Sequence, residues 1–178
     1  MALYITPTND CNQLSITVTY SNNQATYPLT GTFDVRSVGG ASSILNIPIP
    51  SFQITSSGGS AQRLVAASDL AISSGVFEVV FQVAGTTVET GYSLFHCDID
   101  CCLAKLTNEL IDCACDCERC SKALANAQKV FLLIKAADFA LVQASQASAG
   151  TQSGYITDAN NKYNKAREIC DETCGCNC

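Results

Sequence analysis

Apolar and polar residues alternate in the N-terminal half of the chain, most clearly in Leu-Ser-Ile-Thr-Val-Thr-Tyr at residues 14–20. A period of two puts the apolar side chains on one face, which predicts a half-buried antiparallel strand. Val76 to Val83 and Thr87 to Phe95 predict a hairpin that turns at Ala84-Gly85-Thr86. Further runs predict strands at Leu3–Thr6, Thr32–Ser37, Ser43–Ile47, Ser51–Thr55 and Arg63–Ala66.

Short strands separated by Pro and Gly turns predict that residues 1–96 form an antiparallel β-sandwich domain. Within it, residues 68–79 resemble the corner before strand F of immunoglobulin-like domains. In that family, an aromatic side chain near the start of strand F packs against this corner. The matching residue here is Phe77, which lacks the hydroxyl of a corner tyrosine. The resemblance implies an immunoglobulin-like sandwich.

The pattern changes after Cys97, where apolar residues recur at alternating intervals of three and four, as on one face of a helix. The residues on this predicted face are Leu103, Leu106, Leu110, Cys113, Cys117, Cys120, Leu124, Ala127, Phe131 and Ile134. Gly and Pro are absent up to Ala149, so one continuous helix of roughly 75 Å is an alternative. A compact module favours a helix from about Asp98 to Asp112, a turn through Cys113–Cys117, and a second helix to about Ser148.

A loop is predicted at residues 145–156, followed by a third helix from about Asp158 to Asp171 with Thr157 or Asp158 as its cap. Its apolar residues predict an inward face that meets the second helix, formed by Ala159, Tyr163, Ala166 and Ile169. The expected fold class is therefore α+β. A β-sandwich at residues 1–96 precedes a cysteine-stapled helical hairpin or three-helix module at residues 97–178.

Eleven of the twelve cysteines follow residue 96. A short loop makes the third helix run back along the second, which brings two groups of four cysteines to one end of the hairpin. The groups are Cys113, Cys115, Cys117 and Cys120 on one side, and Cys170, Cys174, Cys176 and Cys178 on the other.

Disulfides between these groups would close loops of about 50 residues and contribute about 4 kcal/mol each. Zinc bound by the same eight thiolates is one alternative, although only Cys117 and Cys120 have the Cys-x-x-Cys spacing of a zinc knuckle. Free thiols are the other alternative. Cys97, Cys101 and Cys102 lie near the junction of the two domains. They are expected to form disulfides with different partners, with Cys11 or another chain as candidates.

Charge and composition exclude several classes of function. Residues 1–96 hold two basic and five acidic residues and residues 97–178 hold eight and eleven, so each half has a net charge of −3. Nucleic-acid binding needs clustered Lys and Arg and is not expected. His96 is the single histidine, which leaves no candidates for a Ser-His-Asp or Cys-His site, so no catalytic residue and no enzyme activity are expected.

The sequence also shows no recognisable targeting signal. No apolar run approaches the length of a membrane span, and no export signal is visible at the N-terminus. Disulfides persist mainly in oxidising environments, so many cysteines without a signal leave two alternatives. Either an export signal was removed before this numbering, or the protein is made in a cell's cytoplasm and ends outside it, as in a particle released by lysis.

The C-terminal half, from FHCDIDCCLAKLTNELIDCACDCERC to YNKAREICDETCGCNC, is similar to small cysteine-rich virion proteins of tailed bacteriophages. The matching features are the Cys-x3-Cys-Cys helix, the Cys-x-Cys turn, the Leu- and Ala-rich helix and the cysteine tail. The resemblance implies a non-enzymatic structural protein of the tail, neck or capsid surface. It would assemble in multiple copies with itself and with other virion proteins.

Two alternatives remain open on sequence alone. The first half is rich in Ser and Thr, which suits a neutral surface or an adhesion module that binds host-surface glycans. Tyr4, Tyr20, Tyr27 and Tyr92 are its candidate aromatic contacts, and Trp is absent. The other alternative is a thiol protein that binds metal through the cysteine groups.

Overall fold

A computed structural model describes residues 2–9, 12–21, 26–72, 74–84, 86–112 and 117–174. These residues form an α+β structure with antiparallel sheets and three helices. The strands are β1 Ala2–Asn9, β2 Gln13–Ser21, β3 Leu29–Ser37, β4 Phe52–Ile54, β5 Gly59–Ala66, β6 Ser74–Val83 and β7 Thr86–His96. The helices are α1 Cys97–Asp112, α2 Cys117–Gln146 and α3 Ala149–Cys174.

The strands form two antiparallel sheets that share one apolar core. One sheet has the order β1-β2-β5 and the other β4-β3-β6-β7. The alternation predicted in β2 is confirmed, because Leu14, Ile16 and Val18 are fully buried while the residues between them are partly exposed. The second sheet contributes several aromatic rings to the same core, including Phe33 and Phe81, whose ring centroids are 5.8 Å apart.

The predicted hairpin is confirmed in β6 and β7, which pair antiparallel and turn at Ala84 with φ of 50°. The strand predicted at Ser43–Ile47 is wrong. Ile44 donates its N–H to Val35 in β3, but its carbonyl accepts from Ala71 after β5. Because the backbone hydrogen bonds of this segment go to different parts of the chain, no continuous ladder forms.

Helices α1 and α2 are not one continuous rod. Tyr92, just before α1, donates its N–H to Ser145 near the end of α2, with an N–O distance of 3.0 Å. A straight helix would separate these ends by roughly 75 Å, so the chain reverses between α1 and α2. The turn predicted at Cys113–Cys117 falls mainly on residues 113–116, outside the described residues, and α2 begins at Cys117.

The loop predicted at residues 145–156 is also wrong, because α2 continues to Gln146 and α3 already begins at Ala149. Ser148 starts the new helix, and its carbonyl accepts the N–H groups of Thr151 and Gln152 at 2.9 and 3.1 Å. The Gln152 side chain then donates to the carbonyl of Ala144 at the end of α2, which also accepts the N–H of Ala147 at 3.3 Å. These bonds offset the low helix propensity of the Gly- and Ser-rich start of α3.

Small side chains line the seam between α2 and α3. Residues at intervals of three and four are buried along each helix: Ala123, Val130, Ile134, Ala137, Leu141 and Ala144 in α2, and Ala159, Tyr163, Ala166 and Cys170 in α3. The predicted inward residues of α3 are therefore buried, as is Ile169. The predicted face of α2 is wrong at Leu124 and Phe131, which are exposed, because the buried face is turned by one residue and contains Ala123 and Val130 instead.

Two glycine substitutions test the packing and are expected to have opposite effects. A Cβ at Gly31 would overlap the Phe81 ring, so Gly31→Ala should lower the free energy of unfolding by about 1–3 kcal/mol. Gly154 lies inside α3 with open space around it, so Gly154→Ala should raise the free energy by about 0.5–1 kcal/mol. Urea unfolding followed by circular dichroism measures both, and equal effects of the two variants would contradict the packing described here.

Candidate functional site at the junction of sheet and helices

Strand β7 lies between the sheet core and the helix core. Phe95 packs in the core between the sheets, whereas Leu94 and Tyr92 pack in the core of the three helices. Neighbouring residues of a strand point to opposite faces, so one strand supplies both cores. His96 ends β7 and Cys97 begins α1 without an intervening linker. The junction is therefore a packed interface.

Hydrogen bonds fix α2 against β7. The hydroxyl of Ser145 accepts the N–H of Tyr92 and donates to the carbonyl of Leu141 at 2.9 Å. This contact was not predicted, because the sequence pattern placed Ser145 in a loop. No local signal identifies it, because Tyr92 and Ser145 are 53 residues apart.

A second polar contact ties α3 to the start of α1. The Tyr163 hydroxyl donates to Asp98 Oδ2 at 2.9 Å, and Arg167 Nε lies 3.9 Å from the same oxygen. Asp98 Oδ1 is buried and accepts no hydrogen bond from the described residues. Burial raises the pKa of Tyr163 to about 12; the bond to Ser74 opposes this, and the bond and charge of Asp98 reinforce it. Tyr163 was predicted to face inward, and the need of a buried hydroxyl for a partner was the available signal.

The single histidine belongs to an acidic group at the same junction. His96 Nδ1 lies 3.1 Å from Asp100 Oδ2, which allows an ion pair when the imidazole is protonated. His96 Nδ1 is buried and has no hydrogen-bond partner among the described residues. Burial raises the pKa of Asp138, while His96 and Lys135 lower it and Asp100 raises it further. These groups join the start of α1 to the C-terminal part of α2 by charge, a structural use of titratable groups.

A disulfide joins Cys102 in α1 to Cys170 in α3, with a Cα–Cα distance of 5.8 Å. Both residues are almost fully buried in the helix core. Cys170 was expected to face the start of α2, and its bond to α1 differs from that expectation. The reason is the seam period, which turns Cys170 toward the core shared by all three helices.

The other candidate cysteines are only partly described. Cys97, Cys101 and Cys120 are also disulfide-bonded and half-buried. Cys113, Cys115, Cys176 and Cys178 lie outside the described residues, as do the side chains of Cys117 and Cys174.

Within the described ranges, no group of three or more His, Cys, Asp or Glu side chains has the arrangement of a metal site. Of the eight cysteines predicted as zinc ligands, Cys120 and Cys170 are disulfide-bonded and so are not thiolates here. None of the helices, over the residues described, is long and apolar enough to cross a membrane.

The tyrosines predicted as glycan contacts are in different environments. Tyr92 is only 8% exposed, which removes it from the outer surface, and Tyr27 is half-buried. The side chains of Tyr4 and Tyr20 lie outside the described residues.

The raised pKa of Tyr163 predicts a loss of stability at alkaline pH. Between pH 10 and about 12 the unfolded chain loses the phenolic proton before the folded chain does. The stability that the protonated Tyr163 side chain contributes is therefore complete below pH 10 and is lost as the pH rises to about 12. In an absorbance titration at 295 nm, a wild-type minus Tyr163→Phe difference curve should have its midpoint near 12. A midpoint near 10 would contradict the buried bond to Asp98, and Tyr155→Phe provides the control at an exposed tyrosine.

The disulfide predicts a large effect on stability because it joins residues 68 apart in the chain. The double variant Cys102→Ala/Cys170→Ala should lower the free energy of unfolding by about 4 kcal/mol in the loop-entropy account. Denaturant unfolding should be repeated in reductant, where wild type and variant both lack the bond. The difference should then shrink to the lost packing of two sulfur atoms, and an undiminished difference would refute the role of the bond.

Comparison with known proteins gives one distant structural match. No family model matches the chain, and no curated protein matches it. A crystal structure of a hypothetical protein from Pyrococcus horikoshii OT3 is similar over 54% of this chain and 87% of that chain. The identity is 8% and the TM-score is 0.34, a likeness too weak to inform the fold or the function.

Proposed function

We propose that this protein is a non-enzymatic structural component of a phage virion, in the tail, neck or capsid surface, present in multiple copies. The observation that carries the proposal is the packing of β7 between two cores, because it makes the sheets and helices one stiff building block. A subunit that holds its neighbours in fixed relative positions needs such stiffness. A flexible linker between modules would suit independent binding instead.

The disulfides support the proposal that the protein functions outside the cell. Cys102 and Cys170 are bonded in the centre of the helix core, and further cysteines of the same helices are bonded as well. Disulfides persist mainly in oxidising environments, and a virion enters one when it leaves its host. A covalent cross-link also protects a small helical module that has a limited core of its own.

The outer face of the three-stranded sheet supports contact with other proteins. The residues of β2 that alternate with its core are Ser15, Thr17 and Thr19, and Gln62 on β5 donates to the Ser15 hydroxyl at 2.8 Å. This face is mainly polar and carries little charge, with Leu64 exposed opposite Ser15. Such a surface can pack against further copies or neighbouring virion proteins without the cost of burying unpaired charges.

We further propose that residues 1–96 are an immunoglobulin-like sandwich. The strand orders β1-β2-β5 and β4-β3-β6-β7 correspond to A-B-E and C′-C-F-G when the strands are lettered in chain order. Immunoglobulin-like domains keep A, B and E in one sheet and C, F and G in the other. Phe77 near the start of β6 is fully buried, which agrees with its proposed place in strand F.

Particle proteomics tests the virion role. Particles should be banded on a density gradient from lysates of induced cells that encode the chain, and analysed by quantitative mass spectrometry. The chain should co-band with major capsid or tail proteins at a fixed ratio of several copies per particle. Its presence only in the soluble fraction, while the other virion proteins band, would contradict the proposal.

A further inference from the structure

The disulfide between Cys102 and Cys170 lies inside the core of the three helices. Cys102 is 0% exposed and Cys170 is 2% exposed, and both belong to the cluster of buried side chains that the helices share. Reduction of a disulfide begins when a thiolate attacks one of its sulfur atoms, so its rate depends on access to that atom. A thiol such as glutathione therefore has no route to this bond while the helices stay packed. We call this disulfide the inner bond.

Other disulfide-bonded cysteines in the described part of the chain lie nearer the surface. Cys97 and Cys101 in α1 and Cys120 in α2 are bonded and half-buried, so part of each residue is open to solvent. Cys101 directly precedes Cys102, and neighbouring residues of a helix point about 100° apart, which directs the two side chains to different surroundings. We call Cys97, Cys101 and Cys120 the outer cysteines.

Two hydrogen bonds hold α3 in place on either side of the inner bond. The Tyr163 hydroxyl donates to Asp98 at 2.9 Å, about one helical turn before the inner bond along α1. The Asn126 side chain of α2 donates to the Thr173 hydroxyl at 3.0 Å, about one turn beyond the inner bond along α3. Exposure of the inner bond therefore requires the C-terminal part of α3 to separate from both other helices.

We infer that the inner bond is a redox lock on the helical module, open to thiols and oxidants only after α3 separates from α1 and α2, whereas the outer cysteines exchange with thiols in the folded chain. In the first step of reduction a small thiolate attacks one sulfur atom, forms a mixed disulfide and releases the other cysteine as a thiolate, which takes a proton from water. A second small thiolate attacks the mixed disulfide. It releases the second cysteine and leaves with the first small thiol as their own disulfide.

The lock separates the fold of the helical module from the redox state of its surface. In a reducing environment that contains glutathione, the outer cysteines become thiols while the inner bond keeps α1 joined to α3. When the reduced chain meets an oxidant, the same opening of α3 gives access to the two buried thiols. The inference goes beyond the proposed function, because it depends on the packing of the helices and applies in any compartment.

Timed reduction of the folded full chain measures the access to each bond. The protein is incubated with dithiothreitol, free thiols are trapped at intervals with N-ethylmaleimide, and peptide mass spectrometry gives a rate for each cysteine. Cys101 and Cys120 should react about 100-fold faster than Cys102 and Cys170, since segments of a packed core open rarely. Urea below the unfolding midpoint should accelerate reduction of the inner bond, because opening exposes surface, and should leave the outer rates nearly unchanged.

Variants that remove one hydroxyl test the two hydrogen bonds that hold α3. Tyr163→Phe and Thr173→Val should each speed reduction of the inner bond about 5- to 10-fold and leave the outer rates unchanged. The matched controls in the same helix are Tyr155→Phe and Thr157→Val. Tyr155 is exposed, and the Thr157 hydroxyl donates within α3 to the carbonyl of Ser153. Both controls should keep the wild-type rate at the inner bond.

Two results would overturn the lock. Equal rates at the inner bond and the outer cysteines would show that a small thiol reaches both without opening of α3. An inner rate that neither urea nor Tyr163→Phe changes would show that the packing of α3 does not control access. The urea series uses the wild-type chain alone, so it decides the question even where a variant fails to fold.

Discussion

The burial of β7 on both faces is the constraint on which the rest of the structure depends. Phe95 completes the core between the sheets, and Leu94, one residue earlier, completes the core of the helices. Burying one such side chain contributes about 1.5–3 kcal/mol. Separation of the helices from the sheet would expose Leu94 and Tyr92 and would break the bond from Tyr92 to Ser145. The two modules therefore behave as one folding unit, although their sequences have different periods.

The helices are held to this strand in three different ways. Helix α1 follows β7 directly, α2 is bonded to it through Ser145, and α3 is attached to α1 by the Cys102–Cys170 disulfide and the Tyr163–Asp98 hydrogen bond. Small alanines at the seam let α3 approach α2 closely, and this uses only one side of α2. The larger side chains of α2, such as Phe131 and Phe139, then remain outside. The packing that stabilises the subunit thus also leaves a second apolar face on α2.

Predictability followed the strength of the local pattern. The strict alternation in β2 and the paired runs of β6 and β7 were predicted because the two faces of a strand meet different surroundings, which gives the sequence a period of two. The segment Ser43–Ile47 has a similar pattern but divides its hydrogen bonds between separate parts of the chain, which no local pattern reveals. The start of α3 was placed too late because Gly150 and Gly154 resemble a loop. The hydrogen bonds of the Ser148 carbonyl and the contact of Gln152 with α2 outweigh that low propensity.

The amino-acid sequence by itself determined the α+β class, the boundary near Cys97 and the inward face of α3, because these depend on hydrophobic period and composition. It placed a cysteine-rich helical module after the strands, but it did not choose which sulfur atoms meet. Tertiary structure decided that Cys170 bonds to Cys102, that alanines form the seam, and that Leu124 and Phe131 remain exposed. Each of these depends on the distance between helix axes, which arises from the shapes of side chains far apart in the chain. A one-dimensional pattern does not contain that distance.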